Sequence, residues 1–202
     1  MFPLRRYFFV FIFVLICAFA SGSHAEETVL LDLRPPPEFY AELCPVPVWN
    51  HPKVKWNAVK DQRPYGILGI AAKKKNKDPI NVVSQPALEE VFSEVLKKLF
   101  QQCGMQLVEG KEGDAVPQLD IVIHDFIARE EKGLFTGKGT AKSRLSLGLN
   151  RPMHKTSATV GYEMEFKMGR KRGAERIQEV LQELFKNTIK QIPPLPQLRQ
   201  LP

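Results

Sequence analysis

The sequence predicts an α+β fold, a two-layer sandwich in which an antiparallel sheet carries two amphipathic helices packed on one face. Three observations predict it. Two stretches, Ser84 to Gln102 and 174–190, repeat apolar residues at helical spacing. Between them, further stretches alternate apolar with polar residues, the pattern of strands that keep one face wet. The order of strands, helix, several strands and closing helix suits two packed layers. At 202 residues the chain can bury a real core within one domain.

The chain opens with Arg5 and Arg6. Tyr7 to Ala20 is an almost uninterrupted apolar run, and small residues stand at Ser23 and Ala25. This three-part pattern is that of a secretory signal peptide over residues 1–25, cleaved after Ala25. The run is shorter than the roughly 18 apolar residues read as a membrane span. Cys17 is a weaker candidate for a lipid anchor. Ile16 and Leu15 precede it where the processing peptidase needs a small residue, and it lies inside the apolar run rather than after it. The expected location is periplasmic, with a lipoprotein anchored at Cys17 as the less favoured alternative. The formal net charge is +7. Outside the cytoplasm such a balance favours lipid headgroups, acidic glycans or acidic protein faces, not nucleic acid.

Residues 26–52 read as an extended arm, because Pro35, Pro36, Pro37, Pro45, Pro47 and Pro52 oppose helices and sheet ladders. Residues 192–202, with Pro193, Pro194, Pro196 and Pro202, read as a matching tail. The domain is accordingly placed at 53–191. Cys44 and Cys103 follow the leader. In an oxidising compartment they could pair, or both could remain thiols, one in the arm and one at a helix end. Spacing leaves both open.

Val54 to Lys60 reads as a strand, Asp61 to Pro64 as a turn, and Ile67, Leu68 and Ile70 as a return to extended structure. Asp61 and Arg63 are two residues apart and so face the same side. An ion pair, or a cap on the turn, is their expected role. Lys73, Lys74, Lys75 and Lys77 read as a solvated loop. Ser84 suits the cap of the first helix, and Leu88, Val91, Phe92, Val95, Leu96, Leu99 and Phe100 form its apolar stripe, stopped by Gly104. Leu119 to Ala128 and Gly137 to Leu149 then alternate, with Leu119, Ile121, Ile123, Leu145, Leu147 and Leu149 inward. Thr156 to Met168 does the same with Val160, Tyr162, Met164 and Phe166. A basic connection, Arg170, Lys171 and Arg172, leads to the closing helix with Ile177, Val180, Leu181, Leu184, Phe185 and Ile189.

The strand ending in Asp61-Gln62-Arg63-Pro64, the glycine at Gly69, the helix and strand LEEVFSEVLKKLFQQCGMQLV and the closing helix together resemble the YajG-like family of bacterial envelope lipoproteins, over about Val54 to Ile189. The resemblance implies an exported, non-enzymatic α+β domain. Related small envelope domains serve as accessory parts of transport or assembly machines. The family carries a lipidation motif, and Cys17 does not sit in one.

The stretches that come nearest to a catalytic or ligand-binding motif fail on spacing or context. Gly133 to Thr140 has the glycines of a phosphate loop with the wrong spacing, and it leads into a strand instead of a helix. His124 and Asp125 are neighbours on a predicted strand, so they should face opposite sides. Cys103 with His124 has no context of a nucleophile and base. Cys44, Cys103, His124 and His154 lack metal-ligand spacing.

The sequence therefore predicts no enzyme, no cofactor and no metal. It predicts an exported accessory or adaptor domain with an envelope protein partner, in an envelope transport or assembly system. The alternative is a lipid- or glycan-binding module that meets an anionic membrane surface through the basic clusters at 73–77 and 170–176. The leader reading has a direct check. The intact mass of the mature protein from a soluble envelope fraction should correspond to a chain beginning at Glu26. A membrane-bound species beginning at Cys17 with acyl mass would reverse it.

Overall fold

The computed structural model of the chain describes residues 27–71, 79–108, 116–131, 137–151, 153–167 and 173–199. The leader, Cys17, the lysines at 73–77 and Arg170, Lys171 and Arg172 lie outside the described residues. In chain order the elements are β1 (Thr28–Leu31), α1 (Glu38–Leu43), β2 (Lys53–Asp61), β3 (Gly69–Ala71), β4 (Ile80–Ser84), α2 (Leu88–Gln102), β5 (Gln106–Val108), β6 (Gln118–Glu131), β7 (Lys138–Arg151), β8 (His154–Lys167), α3 (Ala174–Lys190) and α4 (Pro196–Arg199).

β6, β7 and β8 form an antiparallel meander, each of 14 residues. They alternate as expected. Leu119, Ile121, Ile123, Leu145, Leu147 and Leu149 are buried, as are Val160 and Phe166, while Tyr162 and Met164 are half-buried. The remainder of the sheet departs from expectation. β2 lies parallel to β5 and β6, β3 parallel to β6, and β1 parallel to β4, with β3 and β4 antiparallel. The sheet is mixed rather than wholly antiparallel. Alternation records a wet face and says nothing of a neighbour's direction. β2 and β3 reach β6 only after the chain has passed through α2, and such crossovers leave strands parallel.

One face of this sheet carries both helices. α2 lies over β2 and β5, and α3 lies over β3, β6, β7 and β8. All seven residues of the α2 stripe are buried. α3 buries its six expected residues and Thr188, whose hydroxyl donates to the Leu184 carbonyl at 2.7 Å and meets Ser143 Oγ on β7 at 2.5 Å. Phe92 of α2, Phe126 of β6 and Phe185 of α3 meet at ring separations of 4.8 to 6.1 Å and join the two layers. Each buried side chain of this size contributes roughly 1.5–3 kcal/mol before ordering entropy is subtracted. α2 begins at Leu88, four residues after the expected cap. Ser84 instead ends β4, where it pairs with Leu31 of β1, and Pro86 disfavours helix in the residue before it.

The proline-rich arm is folded into the domain. β1 pairs with β4, Phe39 and Tyr40 of α1 are buried, and Trp49 is 4% exposed against the Phe100 ring at 5.6 Å. The prolines prevent a long ladder, but the aromatic residues between them still require burial. Cys44 and Cys103 are joined by a disulfide, with Cα atoms 5.2 Å apart and both residues fully buried. Val48 and Trp49 donate their N–H groups to the Cys103 carbonyl at 3.0 and 3.1 Å. Gly104 completes the clasp with φ 97°. A Cβ there would lie 2.7 Å from the Trp49 carbonyl oxygen and 2.9 Å from Pro47 Cβ. The tail also returns to the core, burying Ile192 and Leu198. The described residues 27–52 and 192–199 therefore belong to the same folded unit, beyond the limits of 53 and 191 expected from composition.

The disulfide spans a sequence separation of 59 residues, and closing so long a loop stabilises the folded state by roughly 4 kcal/mol in the chain-entropy account. Replacing Cys44 and Cys103 together with alanine should lower the unfolding free energy in urea by about that amount. A loss below about 1 kcal/mol would show that the other contacts alone hold the arm.

Candidate functional site

β6 presents two edges. One pairs with β7 along its length. The other is shared, with β2 on its first half, from Lys55 opposite Gln118 to Asp61 opposite Ile123, and β3 on its second half, with Gly69 opposite Ala128. The chain must leave that edge after β2 and rejoin it at β3, so a fork opens between them. Gln62 N–H donates to the Ile123 carbonyl at 2.9 Å on one side of the fork. Ala128 N–H donates to the Leu68 carbonyl at 2.8 Å on the other. Between these bonds the Phe126 carbonyl has no strand partner.

Arg63 supplies one. Its Nη1 donates to the Phe126 and Ile67 carbonyls, each at 3.1 Å. Its Nε and Nη2 grip Asp61, at 2.9 Å to Oδ1 and 2.7 Å to Oδ2, while its own N–H donates to Asp61 Oδ1 at 3.0 Å. The Arg63 side chain is 5% exposed and that of Asp61 19%. Such a desolvated pair holds only with good geometry and its remaining donors satisfied, and four carbonyl or carboxylate oxygens meet that need. Pro64 then turns the chain outward, leaving Tyr65 57% exposed. Gly69 is where α3 presses on the strand. A Cβ there would fall 2.3 Å from Ile177 Cγ2.

A concavity of about 240 Å³ lies over the fork, on the sheet face away from the helices. Tyr65, His124, Asp125, Arg129, Lys142 and Glu163 line it beside Arg63. The Arg129 guanidinium lies 6.0 Å from the Tyr65 ring centroid. Asp125 pairs with Lys142 at 3.2 Å and Arg144 at 3.0 Å, and His124 Nε2 meets Ser146 Oγ at 2.8 Å. His124 and Asp125 thus border the same pocket, which corrects the opposite-face expectation. The pairing of β6 with β7 shifts register between Ile123 and Asp125, and this bulge gives the strand one extra residue there. The sequence holds the signal. Inward apolar residues at 119, 121 and 123 resume at 126 and 128, a change of phase.

The other residues singled out from sequence take separate places. Cys44 and Cys103 lie at the far end of α2 and are consumed by the disulfide, so Cys103 is no nucleophile. Of the basic cluster at 170–176, the described Arg176 pairs with Glu179 at 3.2 Å and lies 5.8 Å from the Phe166 ring centroid. Among the described residues, no three His, Cys, Asp or Glu side chains gather as metal ligands, and no helix is long and apolar enough to cross a membrane. Tyr65, Arg129, Lys142 and Glu163 came to notice only through the fold, which draws them from three strands and a loop.

No family model matches the chain, and no curated protein matches it in sequence. Solved structures of similar outline include an uncharacterised protein at 15% identity, with 83% of this chain and 96% of that one covered and a TM-score of 0.49. A protein of family DUF330 from Xanthomonas campestris is 10% identical, with 82% and 90% covered and a TM-score of 0.46. Rare lipoprotein B from Shewanella oneidensis is 9% identical, with 70% and 87% covered and a TM-score of 0.35.

The geometry of Arg63 makes a definite prediction. Arg63→Met should cost about 3–5 kcal/mol of stability in urea unfolding, since it strands a buried carboxylate and a ladder carbonyl. Arg63→Lys should recover only part of it, because an ammonium cannot hold a carboxylate in two places and two carbonyls besides. A loss near zero for Arg63→Met would show that water serves these oxygens equally well.

Proposed function

We propose that this chain is an exported, non-enzymatic domain of the bacterial envelope that acts as an accessory or adaptor part, gripping a protein partner at the fork pocket on the outer face of its sheet. The observation that carries it is the pocket itself. It joins an exposed tyrosine, with the Arg129 guanidinium 6.0 Å from its ring centroid, to mixed charges on the strands, and tyrosine and arginine are both enriched among the anchors of interfaces. The buried disulfide supports export, because such bonds persist in oxidising compartments. The leader pattern and the resemblance to YajG-like envelope lipoproteins favour the same setting.

A role without chemistry is favoured by the way the pocket's groups are engaged. Arg63 is committed to Asp61 and two carbonyls, and Asp125 to two cations.

Crosslinking in intact envelopes followed by affinity capture should recover one defined protein. Tyr65→Ala and Arg129→Ala should each reduce its recovery by about tenfold or more, as loss of a central anchor does. Equal recovery by both variants would move the contact elsewhere. Repeated recovery of no defined protein would sink the adaptor reading.

A further inference from the structure

Among the described residues one long edge of the sheet, β8, has no strand beside it. β1 and β5, which end the sheet elsewhere, have four and three residues. β8 has 14 and among the described strands pairs only with β7. Its register with β7 runs without a shift from Lys138 opposite Lys167 to Arg151 opposite His154, whereas the β6–β7 and β2–β6 pairings both carry irregularities. Within β8 there is no proline and no bulge; what guards the edge is charge, on Lys155, Glu163, Glu165 and Lys167, so only a partner of matching charge pattern can pair with it.

Its hydrogen-bonding groups have a defined direction. Tyr162 N–H donates to Ser143 Oγ on β7 at 3.1 Å. In an antiparallel ladder alternate residues turn their N–H and C=O to opposite sides, so the odd-numbered residues from 155 to 167 direct theirs to the open edge. Gly161 agrees, since its carbonyl accepts from the Gln191 side chain at 3.0 Å and keeps a second lone pair. Those odd residues are all exposed, and Lys155, Ser157, Thr159, Glu163, Glu165 and Lys167 carry side chains on the wet face, with Gly161 bare among them.

We infer that β8 pairs antiparallel with β8 of a second copy of this chain, forming a two-fold dimer with one continuous sheet. Charge selects both occupant and register. With the two-fold axis at Val160, Lys155 of each copy faces Glu165 of the other, Ser157 faces Glu163, and Thr159 faces Gly161. Two Lys–Glu pairs form by symmetry, from residues that make no ion pair among the described ones. Centring the axis on Gly161 instead would oppose Lys155 to Lys167 twice and is disfavoured. On the inner side Val160 meets its own copy and extends the apolar layer beneath α3. The interface is isologous and therefore closes at two copies instead of growing into a fibre.

Sedimentation equilibrium of the mature protein from low to high micromolar concentration should show a reversible monomer–dimer equilibrium. Glu165→Lys and Lys155→Glu should each raise its Kd by about tenfold or more, since each sets like charges opposite one another twice. The double variant carrying both changes should restore dimerisation. Both sites are exposed edge positions, so thermal unfolding at concentrations where the protein is monomeric should be unchanged, and loss of folding cannot imitate loss of pairing. A wild-type protein that stays monomeric throughout the range overturns the inference, including one whose edge is taken by a strand of a different protein. A dimer indifferent to the single reversals, or not restored by the double one, overturns it too.

Discussion

A buried carbonyl must find a donor, and at Phe126 no strand can provide it. β6 is asked to serve two neighbours along one edge, and the place where they change leaves a gap in the ladder. Arg63 fills the gap from a turn, and Asp61 holds Arg63 in place. The same residue anchors the opposite face, where the Phe126 ring packs against Phe92 and Phe185. One residue thus ties the forked edge to both helices. Without the arginine the fork would need water inside a packed layer, and the cost of unmet buried polar groups is borne by the whole sheet. The pocket above the fork is the outward side of this arrangement.

At the other end of the helix layer the solution is covalent. α2 ends beneath the arm, and its end is closed by Cys44, Gly104 and the two N–H groups that reach the Cys103 carbonyl. A helix terminus leaves carbonyls that need partners. Here the segment between α1 and β2 supplies two donors to the Cys103 carbonyl, and its tryptophan covers Phe100. The two halves of the layer are secured by different chemistry, ionic at the fork and sulfur at the helix end.

Periodicity made the helices and the central meander legible. The stripes of α2 and α3 came through almost residue for residue, since a face that must be buried leaves its spacing in the chain. Strand direction did not come through, because β2 and β3 look alike whether their partner runs with or against them. β1, β4 and α1 were also missed. Each is short, and β1 and β4 draw on pairing with residues some fifty positions away in the chain, which no local window contains. Proline counts misled in the arm, where Phe39, Tyr40 and Trp49 outweigh them by burial. At the site, the turn around Asp61 and Arg63 was visible as a local pair. The pocket was not, since Tyr65, Arg129, Lys142 and Glu163 meet only when the register is set.

The clasp between the arm and α2 has a mechanical consequence. Tension applied through the N-terminal end would load β1 first, and β1 is held to β4 by a short parallel ladder. That ladder and α1 would give way and pay out slack as far as Cys44, roughly 60 Å of extended chain. There the pull meets a sulfur–sulfur bond, and the load divides between the chain that leads on to β2 and the end of α2. The arm could thus lengthen only by giving up β1 and α1, and the covalent clasp sets the limit.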